Sequence, residues 1–333
     1  MKELNKVVMC DSGASKIRYI KSDILKGNTS YVVLDPKGEL FKDTSYAMKQ
    51  KGYNVKVLNL INLKDSNEYN PFNYLRDDTD IQYLVDSLFN SNAKIYEAAK
   101  ELLSSLICYC LYFSPLEEKN FSKVLELLRM AHIKSKDNAL ISELDCIFEN
   151  IESSLSSDDP RKICVDYYKK YKSRDNTTLQ NVQIALAARL SKFENPDLQK
   201  LMSSDGLDLD MVGQEKTIIY AIVPIDNEDL YFLVNILYAQ LFQRLFCLAS
   251  NRYNGVLPVH FRFIMNEIVD FQVPDDFEKI ISENNSLNFS VTIFLSRKTQ
   301  IKMFFKEKGI EYIGNFDSIV NLDNKEKEGR DYL

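Results

Sequence analysis

An alternation of strand-like and helix-like segments with very short joints, close to the N-terminus, limits the fold more than any other feature. Val7-Val8-Met9-Cys10 reads as a short strand, followed by the polar turn Asp11-Ser12-Gly13-Ala14-Ser15 and a helix from about Lys16. Ser30 to Leu34 is β-branched and aromatic and is stopped by Asp35-Pro36-Lys37-Gly38. A helix over about Leu40 to Lys51 ends at Gly52, a usual helix stop, and Asn54 to Leu60 is a third strand candidate. Strands separated by a helix return in the same direction, so this order predicts a parallel sheet.

The pattern then changes. Ile81, Leu84, Val85, Leu88 and Phe89 recur at helical spacing, as do Leu102, Leu103, Leu106, Ile107, Cys110 and Leu111. Leu140, Ile141, Leu144, Ile147, Phe148 and Ile151 continue it, and Val182, Leu186, Leu190 and Phe193 mark a further helix. Strands return at Thr217 to Val223, Phe261 to Met265 and Ser290 to Leu295, with a long apolar helix around Leu230 to Leu248 between the first two. The predicted fold is α/β. One mostly parallel sheet domain, residues 1–79 and 202–333, is interrupted by an all-helical domain at 80–201. With 45% hydrophobic residues in 333, the chain can bury two cores, and 10 Gly and 8 Pro leave little room for disorder.

Charge and residue usage exclude several classes. The formal net charge is −6, from 42 basic and 48 acidic residues, which disfavours binding DNA over the whole surface, because phosphate contacts need a basic footprint. Any DNA contact must be local or made by an assembly. Six cysteines, none in a C-x-x-C pair, suit reduced thiols in a cytoplasmic protein. The two histidines, His132 and His260, support neither a His-based metal site nor a Ser-His-Asp arrangement, and no metal ligands are assigned. No charged-then-apolar leader opens the sequence. The most apolar runs, Leu102 to Phe113 and Leu230 to Ala249, are too short or too interrupted for the about 20 residues a bilayer crossing needs, and both read as buried helices.

Chemistry is expected at the ends of two strands. A phosphate-binding loop wraps phosphates with backbone N–H groups of a Gly-rich turn, while a Lys reaches the terminal ones and the next Ser or Thr holds Mg²⁺. Laid on the first strand, turn and helix, that pattern puts Cys10 at the first Gly, Ser15 at the second, Lys16 at the Lys and Ile17 at the Ser/Thr. Asp11, Ser12, Gly13 and Ala14 fill the loop, and only Gly13 and Lys16 keep its chemistry. After Phe263-Ile264-Met265, an ATPase of this build has Asp-Glu, for Mg²⁺ and for the attacking water. Here Asn266 is a neutral, poor ligand for a hard dication, and Glu267 remains. Taken singly, both segments also read as ordinary polar turns.

Asp35-Pro36-Lys37-Gly38-Glu39-Leu40, directly after a strand, resembles the second-strand signature of the TraG-like coupling proteins of type IV secretion. So does the text around it: Asn28 to Leu34, Lys51 to Leu60, Asn70-Pro71-Phe72, Tyr231-Phe232-Leu233-Val234, Gln240-Leu241-Phe242 and Ile313-Gly314-Asn315-Phe316-Asp317. The ordered set, from about Val7 to Leu322, carries the resemblance. It implies a RecA-like P-loop NTPase sheet domain with an inserted all-α domain. It also implies rings, usually hexameric, at the inner membrane, where ATP and Mg²⁺ drive relaxase-bound DNA or protein substrates to the secretion channel. The implied partners are relaxase or other secretion substrates and secretion-channel proteins. The implied nucleotide-binding residues are Cys10, Asp11, Ser12, Gly13, Ala14, Ser15, Lys16, Ile17, Asn266 and Gln300, with Glu267 catalytic in an active enzyme. Asp35, Lys37 and Glu39 are candidates to line a ligand pocket. The family's N-terminal membrane helices and the last part of its sheet domain are not in this sequence. As given, the chain is expected to be cytoplasmic, and tethered at the membrane where such helices precede it.

Departures from the family gather at the nucleotide. Cys10, Ser15 and Ile17 replace three loop positions, and Asn266 replaces the Mg²⁺-linked Asp. Glu283-Asn284-Asn285-Ser286-Leu287 stands where the family has an Arg, and Ser296 where it has a Gln, while Gln300 is kept. Together they argue against ATP and Mg²⁺ as cofactors and for weak or no ATPase activity, with a role in substrate or partner recruitment. The alternative is an active ring-forming ATPase that pumps DNA or relaxase complexes, using Lys16 and Glu267. Arg297, Lys298, Lys302, Lys306 and Lys308 around Phe304-Phe305 read as a solvated helix face more readily than as a DNA contact.

Overall fold

The structure is a computed structural model that describes residues 4–10, 12–89, 94–132, 141–224, 229–266, 277–284, 286–296 and 314–322 of the 333. The chain forms two compact units, Met1–Asn67 with Gly206–Leu333, and Glu68–Asp205. Its elements begin with β1 (Lys6–Met9), α1 (Gly13–Lys26), β2 (Ser30–Pro36), α2 (Glu39–Gln50) and β3 (Asn54–Asn59). Among the described residues seven α-helices follow: α3 (Asp78–Ser87), α4 (Lys94–Phe113), α5 (Phe121–Met130), α6 (Glu143–Ser154), α7 (Ile163–Lys172), α8 (Asn176–Leu190) and α9 (Pro196–Leu201). The chain then returns to strands with β4 (Thr217–Val223), α10 (Tyr231–Arg252), β5 (Phe261–Asn266), α11 (Phe277–Glu283), β6 (Phe289–Leu295) and β7 (Ser318–Asn321).

In the first unit the seven strands among the described residues form one sheet, in the order β3-β4-β2-β5-β6-β1-β7, and every pairing is parallel. Thus β6 lies between β1, which leads into the first turn, and β5, which ends at Asn266. The sequence reading assigns no strand to β7. Its four residues pair with β1 from Lys6↔Ser318 to Met9↔Asn321.

Both faces of the sheet are covered, which is why β2 and β4 read as unbroken apolar runs. On one face Val8, Tyr31, Val33, Ile218, Tyr220, Ile222, Ile264 and Phe294 meet Ile20 and Ile24 of α1 and Leu40 and Met48 of α2. The other face carries an aromatic cluster. Phe242 of α10 stacks on Phe263 of β5 at 4.1 Å and meets Phe277 edge-on at 5.9 Å. By length and composition α10 could cross a membrane, yet Leu233, Leu237, Leu241 and Leu245 along it are all buried in this core.

The β3 edge of the sheet is covered by the chain that follows it. The Val57 N–H donates to Asn67 Oδ1 (2.8 Å), the Asn67 N–H to the Val57 carbonyl (2.9 Å), and the Asn59 N–H to Ser66 Oγ (2.9 Å).

Among its described residues the second unit holds helices and short 3-10 turns, with no strand. The helical range 80–201 expected from the sequence falls inside it. Phe121 stacks on Phe193 at 3.9 Å and Phe148 on Tyr168 at 4.1 Å. The Asn70-Pro71-Phe72 segment opens the unit: Asn70 Oδ1 accepts the Phe72 N–H (3.1 Å), and its Nδ2 donates to the Lys119 carbonyl (2.8 Å).

Candidate functional site

The joint from β1 into α1 is where phosphate chemistry is expected. The helix begins at Gly13, three residues before the start read from the sequence. Ser12 explains the difference. Its backbone is extended, and its Oγ accepts the Ser15 N–H at 3.3 Å, which makes it an N-cap. The Lys16 N–H then donates to the Ser12 carbonyl (3.0 Å) and closes the first helical turn. The Cys10 thiol donates to that same carbonyl at 3.2 Å. Among the described residues, the Gly13 and Ala14 N–H groups have no acceptor. Ser12, Gly13, Ala14 and Ser15 are exposed, and a β-carbon on Gly13 would meet no atom within 4 Å.

Lys16 points inward. It is 1% exposed, and its Nζ lies 3.5 Å from Ser296 Oγ, just past the end of β6. Asn266 ends β5 at the same end of the sheet, opposite Phe294, and is also 1% exposed. Side chains alternate along a strand, so Asn266 shares the α1-facing side with Ile264. Its Oδ1 has no hydrogen-bond partner among the described residues, and neither has Thr292 Oγ1 on β6. Ile17 packs its methyl groups against the core where a phosphate loop has a hydroxyl. The fold therefore gathers Cys10, Ser12 to Ile17, Asn266 and Ser296 at the C-terminal ends of the adjacent strands β1, β6 and β5. Asp11, Glu267 and Gln300 lie outside the described residues.

The joint from β2 into α2 is built differently. Asp35 is fully buried; its Oδ1 accepts the Leu40 N–H (3.1 Å) and its Oδ2 the Phe41 N–H (2.8 Å). These are second and third residues of α2, so Asp35 caps the helix from the end of the strand. Reaching it takes a tight turn in which Lys37 (φ 75°) and Gly38 (φ 76°) are both left-handed. Burial pushes the Asp35 carboxyl up to about 6, against the two N–H bonds that pull it down. Lys37 and Glu39, the other two pocket candidates, are exposed.

At the opposite end of the strands, contacts distant in sequence hold the sheet together. Asn5 and Asn284 exchange amide hydrogen bonds at 2.9 and 2.8 Å, and Asn5 Oδ1 also accepts the Val291 N–H (2.9 Å). The Asn5 N–H donates to Asp317 Oδ2 at 2.8 Å. A buried Arg262 on β5 pairs with Asp23 on α1. None of these roles was read from the sequence, and no local pattern marks them.

Over residues 16–333 the sequence matches the family model described as Type IV secretory system Conjugative DNA transfer. The chain belongs to this family. Solved structures of a conjugative coupling protein share the fold. The bacterial TrwBdeltaN70, in its trigonal form in complex with sulphate, matches with a TM-score of 0.65 at 13% identity, over 95% of this chain and 69% of that one. Its unbound monoclinic form gives 0.62 at 12%, over 95% and 68%. TrwB in complex with ADP and Mg²⁺ gives 0.62 at 12%, over 95% and 69%. At this identity the likeness shows the fold, which is the RecA-like arrangement that the resemblance implies. No curated protein sequence matches the chain.

Within the conjugative-transfer family pattern, the retained segments have work inside the fold. Asp35 caps α2, Asn70 shapes a turn, and Asp317 fixes the start of β1. Of the altered positions, Cys10, Ser15, Ile17, Asn266 and Ser296 lie at the C-terminal ends of β1, β5 and β6. Asn284, in the stretch where the family's Arg is expected, is fully buried against Asn5. The open N–H groups of Gly13 and Ala14 and the Lys16 ammonium suit phosphate oxygens. Ile17 and Asn266 offer no anionic oxygen, and no cluster of three or more metal-ligating side chains occurs among the described residues. The described residues therefore fit a phosphate but do not fit its magnesium.

Proposed function

We propose that this chain serves conjugative DNA transfer or type IV secretion as a coupling-protein-type component with weak or absent ATPase activity, whose task is to recruit substrates or partners. The observation that carries the reading is the pair Ile17 and Asn266. One has its side chain in the core and the other is a neutral amide, at the two places where a magnesium-dependent hydrolase needs oxygen ligands. The inward-turned Asn284 supports it, since that stretch then lends no cation to an adjacent subunit. Relaxase, other secretion substrates and channel proteins are the partner classes. Residues 68–205 hold 22 acidic and 17 basic side chains, a balance that favours a basic protein surface over DNA.

The second reading, a ring-forming ATPase that moves DNA or relaxase complexes, is favoured by one observation: Lys16 still stands at the sheet end beside Ser296. Phosphate release with Mg²⁺, with and without single-stranded DNA, separates the two. The first reading expects wild type to match Lys16→Ala. Turnover that Lys16→Ala abolishes would sink it.

A further inference from the structure

We propose that Cys108 of α4 and Cys164 of α7 are a redox modification site, where a small two-electron oxidant joins the two thiols in a disulfide that clamps the helices together. The site lies wholly in the second unit and stands whether or not the protein hydrolyses ATP. The alignment of the two helices sets the cysteines face to face. Glu101 of α4 pairs with Arg174, just after α7, at 2.5 Å. One turn along α4, Ser104 is joined to Tyr167 of α7 through Gln82, whose Nε2 donates to Ser104 Oγ at 3.2 Å and to the Tyr167 hydroxyl at 2.8 Å. At the end of α4, the ring of Phe113 lies 5.6 Å from the guanidinium of Arg161, just before α7. As α4 runs from 101 to 113, its partners run back from 174 to 161, so the two helices are antiparallel. Cys108 falls between Ser104 and Phe113. The place opposite it, between Tyr167 and Arg161, is that of Cys164.

The side chains agree with the backbone. Both thiols are free and fully buried. Cys108 shares a hydrogen bond with Cys164, and that bond together with burial raises the Cys108 thiol well above its ordinary value. Cys110, two positions on, projects about 200° away around the helix and is no rival for Cys164. Oxidation breaks two S–H bonds and forms one S–S bond. The two protons and two electrons pass to the oxidant; a diazene takes them up across its N=N bond and becomes a hydrazine. Thiolate is scarce at so buried a place, so the reaction is slow. Poor access shields the product from thiol reductants as well, which makes the disulfide long-lived once formed. It closes a loop that contains α5 and α6, and restricting the unfolded chain in this way stabilises the folded unit.

The test uses the full chain carrying Cys146→Ser, so that this exposed thiol cannot join two molecules. It is treated with the diazene diamide in native buffer and in guanidinium chloride, and the remaining thiols are then alkylated. After digestion without reductant, mass spectrometry should find Cys108 linked to Cys164 in most native molecules, and links spread over several cysteine pairs in denatured ones. The Tm of the oxidised native protein should rise by about 5–10 °C and return on reduction with dithiothreitol. Cys164→Ala should abolish both the link and the rise. Where that variant fails to fold, the link map of the unsubstituted pair decides alone. Native molecules without the Cys108–Cys164 link, with Cys108 linked elsewhere, or with the link but no gain in Tm overturn the proposal. So does a Tm rise that survives in Cys164→Ala.

Discussion

Two strand-to-helix joints in one sheet solve the same problem in different ways. At β2 to α2, a fully buried carboxylate at the strand end satisfies two backbone N–H groups of the helix. At β1 to α1, the exposed Ser12 satisfies one, and two more have no acceptor among the described residues. The β2–α2 joint carries the stretch Asp35-Pro36-Lys37-Gly38-Glu39-Leu40; the β1–α1 joint carries Cys10, Ser15 and Ile17 where a phosphate loop has Gly, Gly and Ser or Thr. The difference teaches what each signature is for. Atoms spent inside the fold are needed whether or not a ligand binds, whereas a glycine loop shaped around phosphate has no such second duty.

The comparison can be broken at several points. Asp35→Ala should have the largest effect. It orphans two N–H groups at a helix start, one buried and one part-buried, and unfolding in denaturant should show a loss of about 2–4 kcal/mol. A loss within error of zero would erase the contrast between the joints. The pH dependence comes next. The Asp35 carboxyl sits at about 6 in the fold against 3.8 for the free group. A raised acid contributes its stability in full below the unfolded value and loses it as pH rises through the folded one. The unfolding free energy of wild type relative to Asp35→Asn should therefore fall by on the order of 1–3 kcal/mol between about pH 4 and 6, then level off. Gly38→Ala should cost about 1–2 kcal/mol, because φ is +76° there and the new carbon would press on Ile222 at 3.3 Å. Ser12→Ala should cost least, about 0.5–1 kcal/mol, in the same unfolding assay, for an exposed cap with one hydrogen bond. A Ser12 effect as large as that of Asp35 would mean the β1–α1 joint is as tightly built as the β2–α2 joint.

Much of the fold was legible because its signals are local and repeated. Strands covered on both faces read as apolar runs, and helices of three turns or more show their period. The four-residue β7 carries too little pattern to stand out from a loop. The start of α1 was misplaced because Ser, Gly and Ala suit both a phosphate loop and a capped helix, and the sequence does not say which conformation wins. The capping role of Asp35 was not legible because its partners, Leu40 and Phe41, lie five and six residues on, beyond the usual reach of a cap signal. The Asn5–Asn284 and Asp23–Arg262 pairs join residues more than two hundred positions apart, a distance at which no spacing rule operates.

The way residues 59–67 lie against β3 also bears on how the protein behaves in company. A strand from another molecule would have to peel Ser66 and Asn67 away before it found donors and acceptors to pair with at Val57 and Asn59. That flank is thus a poor template for amyloid-like growth or strand exchange, even where many copies are crowded together.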